Sequence, residues 1–98
     1  HSILGSSLFT LPLLLHLLGL LIFVFGLPWV VVNGTLRDDA WLIPGASALL
    51  QASAIVWMAM RFRAAPSDIP RGRYLFLFVL QNLGLWPSVV LLFVILAR

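Results

Sequence analysis

Leu8–Leu27 reads LFTLPLLLHLLGLLIFVFGL, an apolar run with no charged residue in it. A bilayer core about 30 Å thick is crossed at about 1.5 Å per residue, so a spanning helix takes roughly 20 apolar residues. This stretch meets that length alone, and it can continue through Pro28 to Val32. Two further stretches do the same: Pro44–Phe62, PGASALLQASAIVWMAMRF, and Tyr74–Ala97, YLFLFVLQNLGLWPSVVLLFVILA. Pro44 suits a first helical turn, where its missing N–H has no intrahelical partner to lose. Trp41–Ile43 ahead of it is expected at the membrane interface, and Pro87 is expected to kink the third helix. The predicted helices cover about residues 8–32, 41–62 and 74–97 of one domain, 1–98.

Composition agrees with this pattern. The 98 residues are 62% hydrophobic and 9% charged, with a mean hydropathy of +1.12. Soluble domains run nearer half apolar and about a quarter charged, so this chain cannot clothe itself in a water-compatible surface. A soluble enzyme and a disordered tail are excluded. With no cysteine, so are a disulfide framework, a thiolate metal site and a Cys nucleophile. The isoelectric point near 11.3 does not indicate a nucleic-acid partner, because the arginines lie between apolar runs rather than in a basic patch. His1–Gly26 is not read as a signal peptide: it has no positively charged start, and its apolar run is too long. The chain begins at His1 rather than Met, as after removal of a leader or trimming.

Short polar connectors join the spans. Residues 33–39 open on the Asn33-Gly34 turn signal, and residues 63–73 carry Pro66, Asp68 and Pro70. Short connectors force neighbouring helices to run in opposite directions. The expected fold is therefore an all-α integral membrane protein of three transmembrane helices, up-down-up and antiparallel. Arg61, Arg63, Arg71 and Arg73 surround the second connector, whereas the first holds only Arg37, beside Asp38 and Asp39. Basic residues mark the inner side, which places the second connector in the cytoplasm or the mitochondrial matrix. Trp29 and Trp41 at one boundary and Tyr74 at the other suit the headgroup level. Asn33-Gly34-Thr35 is a glycosylation sequon abutting the bilayer and is read as a turn.

Lipid tails are as apolar as leucine, so membrane helices associate through small residues and a few polar contacts. On the first helix Pro12, His16, Gly19, Phe23 and Gly26 share a stripe. On the second, Gly45, Ala48, Ala52, Ile55 and Ala59 do, with Ser47 and Gln51 at its edge. On the third, Gln81, Gly84 and Ser88 align, with Asn82 adjacent. Gly19, Gly26, Gly45, Ala48, Ala52, Gly84 and Ser88 are the expected packing positions. His16, Gln81 and Asn82 should lie at one depth as a polar layer, with Gln51 nearer the midplane.

His16 is the one residue within the spans able to ligate a tetrapyrrole, haem or chlorophyll. Such ligation needs a partner chain for the second axial ligand. Against it stand a neutral imidazole hydrogen-bonded to a neighbouring helix and a quinone or lipid contact. Proton and ion relays need several buried titratable groups, and all three aspartates fall in connectors. The serines form no triad with a His and an Asp at readable spacing. No catalytic residue, resident metal or enzymatic activity is expected. The arginine cluster at 61, 63, 71 and 73 would meet anionic phospholipid headgroups.

These readings converge on a small structural or accessory subunit that packs against other membrane subunits in a respiratory or photosynthetic complex. The membrane would be the bacterial or mitochondrial inner membrane. Two other readings compete: a holin-like oligomer that uses the same small faces between copies, and a pigment- or haem-binding subunit using His16.

Overall fold

The computed structural model describes residues 9–32, 34–64 and 71–97. It contains three helices long and apolar enough to cross a membrane: α1 Thr10–Val30, α2 Leu42–Ala64 and α3 Arg71–Ala97. Each is apolar on nearly all sides, so no face is marked by polarity alone.

Proline sets several of the boundaries. Pro12 and Pro44 lie in the first turns of α1 and α2 and are buried there, where a missing N–H breaks no ladder bond. Pro28 sits just before the end of α1. The chain then leaves the helix for a two-stranded antiparallel hairpin, β1 Val31–Val32 and β2 Thr35–Leu36, with Val31 opposite Leu36 and Val32 opposite Thr35. Helix 1 therefore ends two residues short of the expected Val32. Gly34 takes φ +81°, a backbone region that costs an L-residue but not glycine. The Arg37 N–H donates to the Val30 carbonyl at 2.9 Å and closes the hairpin against the helix end. The Arg37 guanidinium lies 4.2 Å over the Trp29 ring and 3.4 Å from Asp39 Oδ1. Asn33, the sequon's acceptor, lies outside the described residues, as do Pro66, Asp68 and Pro70 of the second connector.

The other two helices run further than expected toward that connector. α2 continues to Ala64 and takes in Arg61 and Arg63; α3 begins at Arg71 and takes in Arg73. A helix satisfies its backbone without water, so it can extend past its apolar core wherever its side chains tolerate the interface.

Two clusters define the ends of the bundle. At one, Tyr74 stacks on Phe62 with centroids 4.1 Å apart and planes within 6°, and it lies 6.3 Å from Phe9. At the other, Val30, Ala40 and Ile95 are buried together. α2 is the central helix: 33% of its most apolar window is buried, against 17% for α1 and for α3. α1 and α3 are held together mainly through it.

The buried stripe of α2 departs from expectation. It runs through Pro44, Ser47, Gln51, Ala54 and Met58, whereas Ala52 is exposed and Ala48 and Gly45 are only half-buried. The expected small-residue stripe is thus rotated off the core, and its polar edge has become the centre. The cause is energetic. An outward Ala52 presents no polar group, while an outward Gln51 or Ser47 would leave one without a partner among the surrounding apolar side chains, at roughly 2–7 kcal/mol.

Candidate functional site

The interior is organised by two sets of polar contacts, one on each side of Gly84. In the first, the Ser47 hydroxyl of α2 donates to the Gly19 carbonyl of α1 at 2.8 Å. Its Oγ lies 2.8 Å from Ser88 Oγ of α3. Since the single Ser47 proton is already committed, Ser88 is the donor in that pair. Gln51 Nε2 donates to Ser47 Oγ at 2.8 Å and to Ser88 Oγ at 3.2 Å. Both Gln51 N–H groups and both Ser47 lone pairs are then used, and the node ties all three helices together. Ser47, Gln51 and Ser88 are each fully buried.

Close helix approach makes the node possible. A Cβ on Gly19 would stand 3.0 Å from the Ser47 backbone oxygen and 2.8 Å from Gln51 Cγ. A Cβ on Gly84 would stand 2.9 Å from Leu20 Cδ2, 3.1 Å from His16 Cε1 and 3.2 Å from Gln51 Oε1. Gly26 approaches only the flexible Ile43 side chain, and Gly45 has ordinary contacts with Trp41 and Leu92.

The second set centres on His16, 6% exposed. Its Nε2 lies 2.9 Å from the backbone carbonyl of Gln81 on α3. A carbonyl can only accept, so this nitrogen carries the proton and donates. A ring nitrogen used this way has no lone pair for a metal. Tetrapyrrole ligation would fall to Nδ1 or would replace this bond.

Gln81 meets His16 through its backbone, and its side chain stands apart. That side chain is 2% exposed, yet neither Nε2 nor Oε1 has a hydrogen-bond partner among the described residues. Asn82 does not join the layer: its amide donates to the Phe78 carbonyl one turn back, at 2.8 Å, as polar side chains in helices often do. Gln51 joins the serine node rather than standing alone near the midplane. Ser47 is the residue whose importance the sequence understates, since α2 carries two serines and nothing in the sequence tells the buried Ser47 from the exposed Ser53.

The arginines sit at the end marked by Phe62 and Tyr74. Arg61 lies 5.3 Å over the Trp57 ring; Arg63, Arg71 and Arg73 are exposed. On the outward flank of α2, Ala52, Ser53, Val56, Trp57 and Met60 line a groove of about 400 Å³. Between α1 and α3 lies a second hollow of about 360 Å³, with His16, Gln81 and Gly84 among its lining residues. Among the described residues no three His, Cys, Asp or Glu side chains gather as metal ligands would. In comparisons with protein-family models, with curated proteins and with solved structures, none matches this chain.

Proposed function

We propose that this chain is a small structural subunit of a multi-subunit membrane complex, packing against larger subunits and lipid. The observation that carries this reading is how the polar side chains are used. Ser47, Gln51, Ser88 and His16 are spent on bonds between the chain's own helices. The outward surface is left to large apolar side chains such as Leu14, Phe25, Leu49, Phe76, Leu83 and Phe93. A continuous apolar exterior of that kind suits acyl chains or other membrane helices. The groove at Ala52 and Ser53 gives a neighbouring helix a place for close approach.

In this reading the helices cross the bilayer up-down-up, with the arginine-flanked connector on the cytoplasmic or matrix side against anionic headgroups. Support comes from the two end clusters: Phe9, Phe62 and Tyr74 lie together by the start of α1, the end of α2 and the start of α3, and Val30, Ala40 and Ile95 lie together by the opposite ends. An energy-transducing inner membrane is reached by elimination, since the sequence holds no self-sufficient catalytic or translocating set. Purification in a mild detergent followed by mass spectrometry of co-purifying chains tests the proposal. A fixed stoichiometry with different membrane subunits is the expected result. Recovery of copies of this chain alone would overturn it in favour of a holin-like oligomer.

A further inference from the structure

We propose that the hollow between α1 and α3 is a binding site for a neutral amphipathic molecule of the bilayer, one whose head carries a carbonyl and a hydroxyl. The residue that points to it is Gln81. Its side chain is 2% exposed, lines the hollow, and leaves both Nε2 and Oε1 without a partner among the described residues. An unpaired amide in an apolar interior costs roughly 2–7 kcal/mol, and Asn82, one residue on, avoids that cost by bonding to Phe78. Gln81 presents a donor edge and an acceptor edge side by side. The complementary head offers an acceptor beside a donor, as a carbonyl next to a hydroxyl does.

The walls define the rest of the ligand. Leu13 and Leu20 of α1 face Leu77 and Leu80 of α3 across the hollow, and among the described residues none that is charged lines it. A charged head would lose its hydration with nothing to repay it, so the ligand is uncharged. The volume, about 360 Å³, falls within the roughly 300–1,000 Å³ of small-molecule sites, which are mostly apolar with a few orienting polar groups. A whole helix, about 10–12 Å across with its side chains, does not fit there. Because α1 and α3 are joined mainly through α2, the hollow opens sideways, past the exposed Leu80 and Leu83, toward acyl chains. The His16 bond to the Gln81 carbonyl holds that part of α3 in register and places the amide.

Two molecules share this chemistry: a neutral monoacylglycerol, with an ester carbonyl beside free hydroxyls, and a ceramide, with an amide carbonyl beside free hydroxyls. The test uses the full chain, ¹⁵N-labelled, in phosphatidylcholine nanodiscs, titrated separately with 1-oleoylglycerol and with a short-chain ceramide. Side-chain amides occur only at Asn33, Gln51, Gln81 and Asn82, and Gln81→Leu assigns the relevant NH₂ signal by its disappearance. A saturable displacement of the Gln81 signal, with the Asn82 signal unmoved, is expected for at least one probe, and the responding probe identifies the source. Leu80→Trp, which fills the hollow without touching the amide, should abolish the displacement while the Gln51 and Asn82 signals report an intact fold. No displacement with either probe overturns the proposal. So does an equal displacement in Leu80→Trp, which would reflect bulk partitioning, or a Gln81 signal that moves only with protein concentration, which would make the occupant a second copy.

Discussion

The Nε2–H of His16 donates to the backbone carbonyl of Gln81 at 2.9 Å, across 65 residues of sequence. It joins the two helices that otherwise touch each other least. The bond needs a donor at position 16, not an imidazole as such. His16→Gln, which keeps an N–H donor, should leave the bundle close to its original stability. His16→Leu should lose about 0.6 kcal/mol and no more than about 1.7 kcal/mol, the average and the maximum measured for interhelical hydrogen bonds in a membrane protein. Equilibrium unfolding in mixed micelles would measure both. The same pair addresses pigment binding: if His16 ligates haem or chlorophyll, His16→Gln shifts or removes a visible absorption band of the purified complex, and an unchanged spectrum eliminates ligation.

Two glycines of α1 should respond differently to a methyl group. At Gly19 the new Cβ meets the Ser47 backbone oxygen at 3.0 Å, which cannot move without moving α2. At Gly26 it meets Cδ1, Cγ2 and Cγ1 of Ile43 at 2.7–3.1 Å, side-chain atoms that can give way without moving the backbone of α2. Gly19→Ala should therefore cost about 1–3 kcal/mol, the usual range for overpacking, and Gly26→Ala clearly less. Equal losses would mean that the Ser47–Gly19 approach is not the tight one.

Ser47 and Ser88 should be energetically coupled. Removing either hydroxyl also deprives Gln51 of a hydrogen-bond acceptor. A double-mutant cycle with Ser47→Ala and Ser88→Ala should show non-additivity of roughly 0.5 kcal/mol or more, as residues in one network do. Strict additivity would separate the two serines.

Ala52→Leu should leave the fold of the isolated chain unchanged, because Ala52 is exposed. Its effect, if the α2 groove seats another subunit, appears as loss of co-purifying chains at constant thermal stability of the chain itself. Ala54→Leu, on the buried stripe, should destabilise the chain directly. If Ala52→Leu lowers stability as much as Ala54→Leu does, the rotation of α2 described above is wrong.

Orientation can be read with single cysteines at Ser7, Thr35 and Ser67, since the chain has no native cysteine. An impermeant thiol reagent added to intact, right-side-out cells or vesicles should label position 35 and spare 7 and 67. Labelling of 67 with 35 protected would invert the proposed topology.

Three apolar helices, their approximate bounds, and the gathering of arginine at one pair of helix ends all follow from the order of residues alone. These are sums over consecutive residues: an apolar length, a proline in a first turn, a count of basic side chains. Which face of each helix turns inward emerges when the three helices pack against one another. The helices are apolar on nearly all sides, so the choice falls to a few polar groups whose partners lie 28 residues away for Ser47 and Gly19 and 65 for His16 and Gln81. The spacing of small residues on α2 favoured the Ala48–Ala52 side, but an outward alanine presents no polar group while an outward glutamine would leave one unpartnered. Ser47 and Gln51 therefore turned α2 inward on their own side. The hairpin after α1 is another such outcome: Val31 and Val32 read as more helix until β2 is present to pair with them.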